Sequence, residues 1–166
     1  MELKKQNFIQ IINDNRGSIR SLCKGYYVST EDQKDAFQDV ILQLWKSFDT
    51  FRGESKISTW IYRVSINTIL NKIRRDRSVT VEPIDTSHFY ISNAKADDNV
   101  ELLSIIIRSL KDIDKAIVIL YLEGYPNKEI AEILKMSPTN VSTRLNRVTS
   151  QLRMKFNNNS HATRQS

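Results

Sequence analysis

An all-α protein, two small helical domains joined by a flexible linker, is the fold class that the sequence predicts. Three observations carry it. Only four glycines and three prolines punctuate 166 residues, so little interrupts helical runs. Apolar residues recur at spacings of three and four rather than two, the period of a buried helix face. Charge is uneven along the chain. Residues 1–77 carry 14 basic and 9 acidic side chains, a net +5, and residues 100–156 carry 9 against 6, a net +3. Between them, residues 78–99 hold one lysine and four acids, a net −3. That spacer is rich in Ser, Thr, Asp and Asn, contains Pro83 and shows neither period, so it reads as a linker. The expected division is a domain over 1–77, an acidic linker over 78–99, a second domain over 100–156 and a disordered tail over 157–166.

Residues 7–27 form the first expected helix, with Phe8, Ile11, Ile12, Ile19 and Leu22 inward, a bend near Gly17 and a stop around Gly25. Cys23 packs there as a small core hydrophobe. In the second helix, Thr30-x-x-Gln33 is a candidate capping box, and Ala36, Phe37, Val40, Ile41, Leu44, Trp45 and Phe48 share one face. Its other face carries Asp32, Asp35, Gln38, Asp39, Gln43 and Lys46. A third helix over about 58–75 buries Ile61, Val64, Thr68 and Ile69, with Ile57 just before it, and ends in Lys72-Ile-Arg-Arg-Asp-Arg77. The second domain begins with one helix carrying Val100, Leu103, Ile106, Ile107 and Leu110. The next helix carries Ile113, Ile117, Leu120 and Tyr121 and is closed by Gly124.

Two short helices follow, and they have the layout of a helix-turn-helix. Asn127 is placed to cap the first, whose Ile130, Ala131 and Leu134 face inward, the small Ala131 permitting a close crossing. Ser137 caps the second, with Pro138 at its first position, where a missing N–H costs nothing. Val141, Leu145, Val148 and Leu152 bury one side and leave Thr139, Asn140, Thr143, Arg144 and Arg147 outside. Residues 141–156 hold four basic side chains and no acid. This suits a helix read into a major groove, where arginine and asparagine make bidentate contacts to base edges. An ordinary hairpin with a solvated basic face would leave the cap, the small crossing residue and the acid-free face as coincidences.

Composition excludes other classes. A content of 40% hydrophobic and 27% charged residues is that of a soluble globular protein. No run approaches 18 apolar residues and the first five residues lack a signal-peptide core, so a cytoplasmic location without direct membrane insertion is expected. One cysteine and two histidines leave little for disulfides, zinc or histidine catalysis. Asp32, Asp35 and Asp39 share a helix face, but no further ligands converge on them. No cofactor, no metal, no small-molecule substrate and no enzymatic activity are expected. The net charge of +6 points to an anionic partner.

Two blocks in order then resemble a bacterial sigma factor of the extracytoplasmic-function (ECF) group. The first is Asp35-Ala-Phe-Gln-Asp-Val-Ile-Leu-Gln-Leu-Trp45 followed by Phe51-Arg-Gly-Glu-Ser-Lys-Ile-Ser-Thr-Trp-Ile-Tyr-Arg-Val-Ser-Ile-Asn-Thr68, similar to the family's second conserved region. The second runs to Thr143-Arg-Leu-Asn-Arg147 and is similar to its fourth region. The resemblance implies a subunit that binds core RNA polymerase, recognises the −10 and −35 promoter elements and promotes melting of promoter DNA. It implies polymerase contacts from Asp35, Gln38, Asp39 and Gln43. It also implies a base-receiving loop of Arg52, Gly53, Glu54, Ser55, Lys56 and Ser58, and a single-strand path of Trp60, Arg63, Asn67, Asn71, Lys72, Arg74 and Arg75. Basic tracks and polar side chains are what an unstacked strand requires; Trp60 reads first as a core residue of the helix and only second as a stacking platform or wedge. Thr139, Asn140, Ser142, Thr143, Arg144 and Arg147 would bind the −35 element. An anti-sigma partner is implied too, and Glu82, Asp85, Asp97 and Asp98 would lie in the polymerase's RNA path. The chain departs from the family pattern at Lys135, where glycine is usual and adopting a positive φ would carry some cost, at Lys111, where proline is frequent, and at Asn140 and Ser142.

Two rivals remain at this level. A self-sufficient helix-turn-helix regulator would bind a palindrome as a dimer without polymerase. A nuclease or recombinase would need an activated nucleophile or a carboxylate cluster, and neither emerges from the sequence.

Overall fold

The computed structural model of the chain describes residues 1–79 and 98–162, so most of the acidic spacer and residues 163–166 lie outside the described residues. Helix α1 spans Glu2–Tyr26 and starts five residues earlier than the apolar pattern suggests. It stays helical through Gly17, where a Cβ would meet nothing within 4 Å. Phe8, Ile12, Ile19, Leu22 and Cys23 are buried on it. Helix α2 spans Thr30–Ser47 and buries Ala36, Val40 and Leu44 against α1. Its cap lies one residue before the expected box: the Ser29 side chain accepts from the Asp32 N–H at 3.0 Å, while Gln33 donates back to the carbonyls of Tyr27 and Val28. Serine is a good cap because its oxygen replaces an orphan N–H partner.

A short 3-10 turn over Phe48–Thr50 and a loop containing Gly53 at φ 73° lead into α3, Ile57–Val79. Trp60 is a core residue, 9% exposed, with its ring against Phe48 and Phe51. Val64 and Thr68 are only half-buried; Ser65 and Ile66 take the inner positions with Ile61 and Ile69.

The second unit is built from α4 (Asp98–Arg108), α5 (Asp112–Leu122), α6 (Asn127–Leu134) and α7 (Pro138–Ala162). Gly124 ends α5 at φ 90°, and the N–H groups of Gly124 and Tyr125 return to the carbonyls of Tyr121 and Leu120. This pattern satisfies two orphan carbonyls. The same closure ends α6, with Met136 and Lys135 bonding back to Ala131 and Glu132. Here the left-handed residue is Lys135, at φ 53°, as its place in the turn requires. Tyr121, expected inward, is exposed, as is Leu122, because the buried stretch of α5 ends at Leu120. Asn127 does not cap α6; Pro126 holds that position and Asn127 donates to the Ser142 hydroxyl at 2.9 Å. The tail expected to be disordered from 157 is helical as far as Ala162. No glycine or proline follows Pro138, so a helix already nucleated on the core simply propagates.

The two units are not merely tethered. Helix α1 packs on α5, and α3 packs on α6. Ala116 to Leu120 are all buried, giving α5 apolar contacts around its whole circumference. Gly25 lies so close to α5 that a Cβ there would sit 2.4 Å from Ile119 Cδ1. Tyr26 donates its hydroxyl to the Asp112 carbonyl at 2.6 Å, Arg77 forks onto the Asp112 carboxylate at 2.8 and 3.3 Å, and the Tyr62 and Tyr125 rings meet edge-on at 5.2 Å.

Candidate nucleic-acid interface

The loop after α2 and the start of α3 set the first part of the site. Arg52, Gly53, Glu54 and Lys56 are exposed, and Ser55 and Ser58 half-buried. Thr50, Phe51, Arg52, Glu54, Ser55, Trp60 and Arg63 line a cleft of about 290 Å³. Burial makes Trp60 a wall of this cleft backed by Phe48 and Phe51, not a free stacking platform. Gly53 supplies the positive φ of the turn without steric penalty.

One helical turn further along α3, Asn67, Asn71, Arg74 and Arg75 line a second groove of about 650 Å³ with Ser47, Val64 and Thr68. Its opposite wall includes Gln43. This residue, expected among the polymerase contacts, thus stands beside the single-strand set. The remaining polymerase candidates lie on α2: Asp35 and Gln38 are exposed, whereas half-buried Asp39 accepts from Lys72 Nζ at 2.6 Å. One candidate polymerase contact and one candidate strand contact therefore hold each other, tying α2 to α3.

In the helix-turn-helix, Ser137 caps α7 through the Asn140 N–H at 3.1 Å, and Pro138 opens the helix. Val141, Leu145 and Val148 are buried, and Thr139, Asn140, Thr143 and Arg147 are exposed. Arg144 and Arg147 are both gripped by Asp114 of α5, at 2.9 and 3.1 Å, one carboxylate oxygen each. The Asp114 side chain is 5% exposed, and those of the arginines 29% and 52%. Arg144 Nε also donates to Asn140 Oδ1. A buried carboxylate that holds two guanidinium groups, one oxygen to each, fixes their position before any ligand arrives. Sequence reading missed Asp114; an acid in the first turn of a helix has a sufficient reason in the helix dipole alone.

Two residues of the first set are engaged by the second unit. Arg63 Nη2 donates to the Glu132 carbonyl at 3.0 Å, and Lys56 pairs with Glu129 at 3.2 Å, both on α6.

This three-helix unit followed by a helix-turn-helix unit is the build of a two-region sigma subunit. Residues 11–79 match the family model for Sigma-70 region 2, and residues 102–152 that for Sigma-70 region 4. The chain is 30% identical over 135 residues to the ECF RNA polymerase sigma-E factor of Escherichia coli K12, covering 72% of this chain and 71% of that protein. It is 28% identical over 146 residues to the sigma-E factor of Haemophilus influenzae, covering 78% and 77%. In fold it is similar to CnrH, solved in complex with the cytosolic domain of CnrY, with a TM-score of 0.69, 15% identity and coverage of 92% and 89%. A similar likeness extends to RpoE of Bartonella quintana, solved with the anti-sigma factor NepR, at TM-score 0.66, 17% identity and coverage of 93% and 96%. The chain belongs to the ECF RNA polymerase sigma factors, a family of transcription-initiation subunits.

Among the described residues no helix is long and apolar enough to cross a membrane.

Proposed function

We propose a division of labour within this sigma factor. Asp35 and Gln38 on the exposed face of α2 dock on core RNA polymerase, with Asp39 holding α2 to α3 through Lys72 as well as meeting polymerase. Gln43 turns toward the strand groove. The loop Arg52, Gly53, Glu54, Ser55, Lys56 and Ser58 receives an extruded base of the −10 element, and Arg63, Asn67, Asn71, Lys72, Arg74 and Arg75 hold the unwound strand. Thr139, Asn140, Ser142, Thr143, Arg144 and Arg147 read the −35 element. The observation that carries this is the pair of clefts in order along α3, the first walled by Arg52 and Arg63 and the second by Asn67, Asn71, Arg74 and Arg75, the chemistry a single strand selects. Polymerase supplies all the catalysis.

The packed arrangement of the units is a resting form. A unit of about 60 residues is roughly 27 Å across, whereas the two promoter elements lie about two turns, roughly 70 Å, apart. With Lys56 and Arg63 bonded to α6, neither unit reaches its own element while the other is bound. Polymerase binding separates them, and an anti-sigma protein, the partner type of the Bartonella quintana neighbour, retains the free chain in the cytoplasm by covering the polymerase-binding surfaces. The dimeric regulator is disfavoured, because it requires no first unit at all. The test is run-off transcription with purified core polymerase on genomic promoter fragments. New start sites that depend on this protein are expected; tight duplex binding without polymerase and no change in start sites would refute the reading.

A further inference from the structure

Where α3 ends, α4 ends and α5 begins, three helix termini meet around a cleft of about 650 Å³ lined by Arg77, Arg108, Ser109, Leu110, Lys111, Asp112 and Lys115. Four cations face a single carboxylate there, and that carboxylate is already committed to Arg77. The cleft lies at the end of α3, two residues beyond Arg75 of the strand groove, and the first unit contributes Arg77 to a wall made by the second.

Two of its groups lack an acceptor among the described residues. Lys115 is 8% exposed, and its ammonium lies 5.4 Å from the centre of the Tyr26 ring but makes no hydrogen bond, although it has three donors. Burial, with Arg77 and Arg108 nearby, pushes its pKa below the ordinary lysine value despite Asp112. The Arg108 Nε–H is buried and also without a partner. Of the two, the Arg108 Nε–H is the donor cut off from solvent, and a ligand that accepted from it would offset its lost hydration. The N–H groups of the first turn of an eleven-residue helix add a positive partial charge at the same place.

From this geometry we infer an anion site that takes a phosphate or diphosphate group of a small free molecule, bound at the seam between the units by Arg108, Lys111, Lys115 and Arg77. A small anion fits better than a DNA backbone, because a rigid duplex does not reach a lysine that is nine-tenths buried between two packed units. Occupancy links Arg77 of the first unit to three cations of the second and so favours the packed form. The site is independent of which promoter the sigma factor reads.

The experiment is isothermal titration of the full chain with inorganic pyrophosphate in about 0.15 M chloride, in parallel with a short DNA duplex. The variants are Arg108→Gln/Lys115→Gln and a charge-matched control, Lys24→Gln/Lys34→Gln. Saturable binding of pyrophosphate near one equivalent is expected, weakened at least tenfold in the first variant and unchanged in the control. Thermal unfolding checks that the variant is folded, and a rise of melting temperature with pyrophosphate in the parent but not in the variant is the second readout. Absence of saturation, or equal weakening in both variants, would overturn the site. A loss of duplex affinity as large as the loss for pyrophosphate would assign these cations to DNA instead and overturn it as well.

Discussion

Gly25→Ala tests the packed form through one methyl group. Gly25 is the penultimate residue of α1, and its added Cβ would lie 2.4 Å from Ile119 Cδ1 and 3.3 Å from Cγ1. Ile119 is buried, though with Gly25 it borders a cleft of about 430 Å³ into which its δ-methyl yields in part, and overpacking of this kind costs about 1–3 kcal/mol. Alanine also improves the helix by up to about 1 kcal/mol. That gain is the same whether the units are docked or apart, so it cancels from the docking equilibrium. Docking should therefore weaken by the overpacking cost alone, about 5- to 150-fold, since each 1.4 kcal/mol is tenfold. A compact chain of this length has a radius of gyration of about 15 Å, and small-angle scattering of the variant should give several ångströms more. Circular dichroism should show undiminished helix. Because undocking frees Lys56 and Arg63 from α6, retention of a single-stranded −10 oligonucleotide should rise in step with the radius. An unchanged scattering curve for both Gly25→Ala and the bulkier Gly25→Leu, at unchanged helix content, would refute the docked geometry and the occlusion argument with it.

Four further outcomes follow, three from single residues and one from a pair. Asp114→Asn should destabilise the second unit by about 1–3 kcal/mol in thermal unfolding, below the about 3–5 kcal/mol of a fully buried broken pair because Arg144 and Arg147 are partly solvated. Its −35 footprint should fade even at temperatures where the variant is folded. Arg144→Gln/Arg147→Gln should leave core polymerase binding intact in gel filtration and abolish −35-dependent initiation, with the logarithmic salt slope of promoter binding falling by about 0.9 for each phosphate that is no longer neutralised. Lys135→Gly relieves about 1–2 kcal/mol of left-handed strain against about 0.5–1 kcal/mol of added chain entropy, and a melting temperature raised by about 1–4 °C is the expected result. Burial pushes the Cys23 thiol up to about 11 and also shields it from reagent, so at pH 8 the folded chain should react with iodoacetamide more slowly than the unfolded chain by at least about a hundredfold. For stability the sign is that of a raised pKa: the contribution of the neutral thiol is complete below the unfolded value near 9 and is lost as pH rises toward about 11.

The helices were legible because their causes are local. Alternation of three and four placed Phe8, Ile12, Val40, Leu44, Ile61 and Ile69 inward, and all six are buried. The Ser137 cap with Pro138 after it marked the start of α7 to the residue. Errors of one or two positions arose where two local solutions compete, as with Ser29 and Thr30 before α2, or Pro126 and Asn127 before α6. In the latter pair the proline fixes the φ of the cap position, and the asparagine is then free to bond Ser142 across the helix-turn-helix.

What the sequence did not disclose is how the two units use each other, although one sign of it was present. Ala116-Ile-Val-Ile-Leu120 is apolar on every side, and a helix that is apolar all round needs cover on every side. Four helices of a small unit cannot surround one of their own number, so a further surface had to come from elsewhere, and it comes from α1 through Gly25 and Tyr26. Read alone, Asp112 and Asp114 are two acids in the first turn of a helix, which the dipole explains fully. In the structure they divide the unit's loyalties: Asp112 binds Arg77 of the first unit, and Asp114 steadies Arg144 and Arg147 of α7. Neutralising the first should therefore loosen the seam and spare the −35 contacts, whereas neutralising the second should do the reverse. Acids two residues apart thus serve different neighbours, one across the seam and one within the second unit, because their side chains leave opposite sides of one short helix.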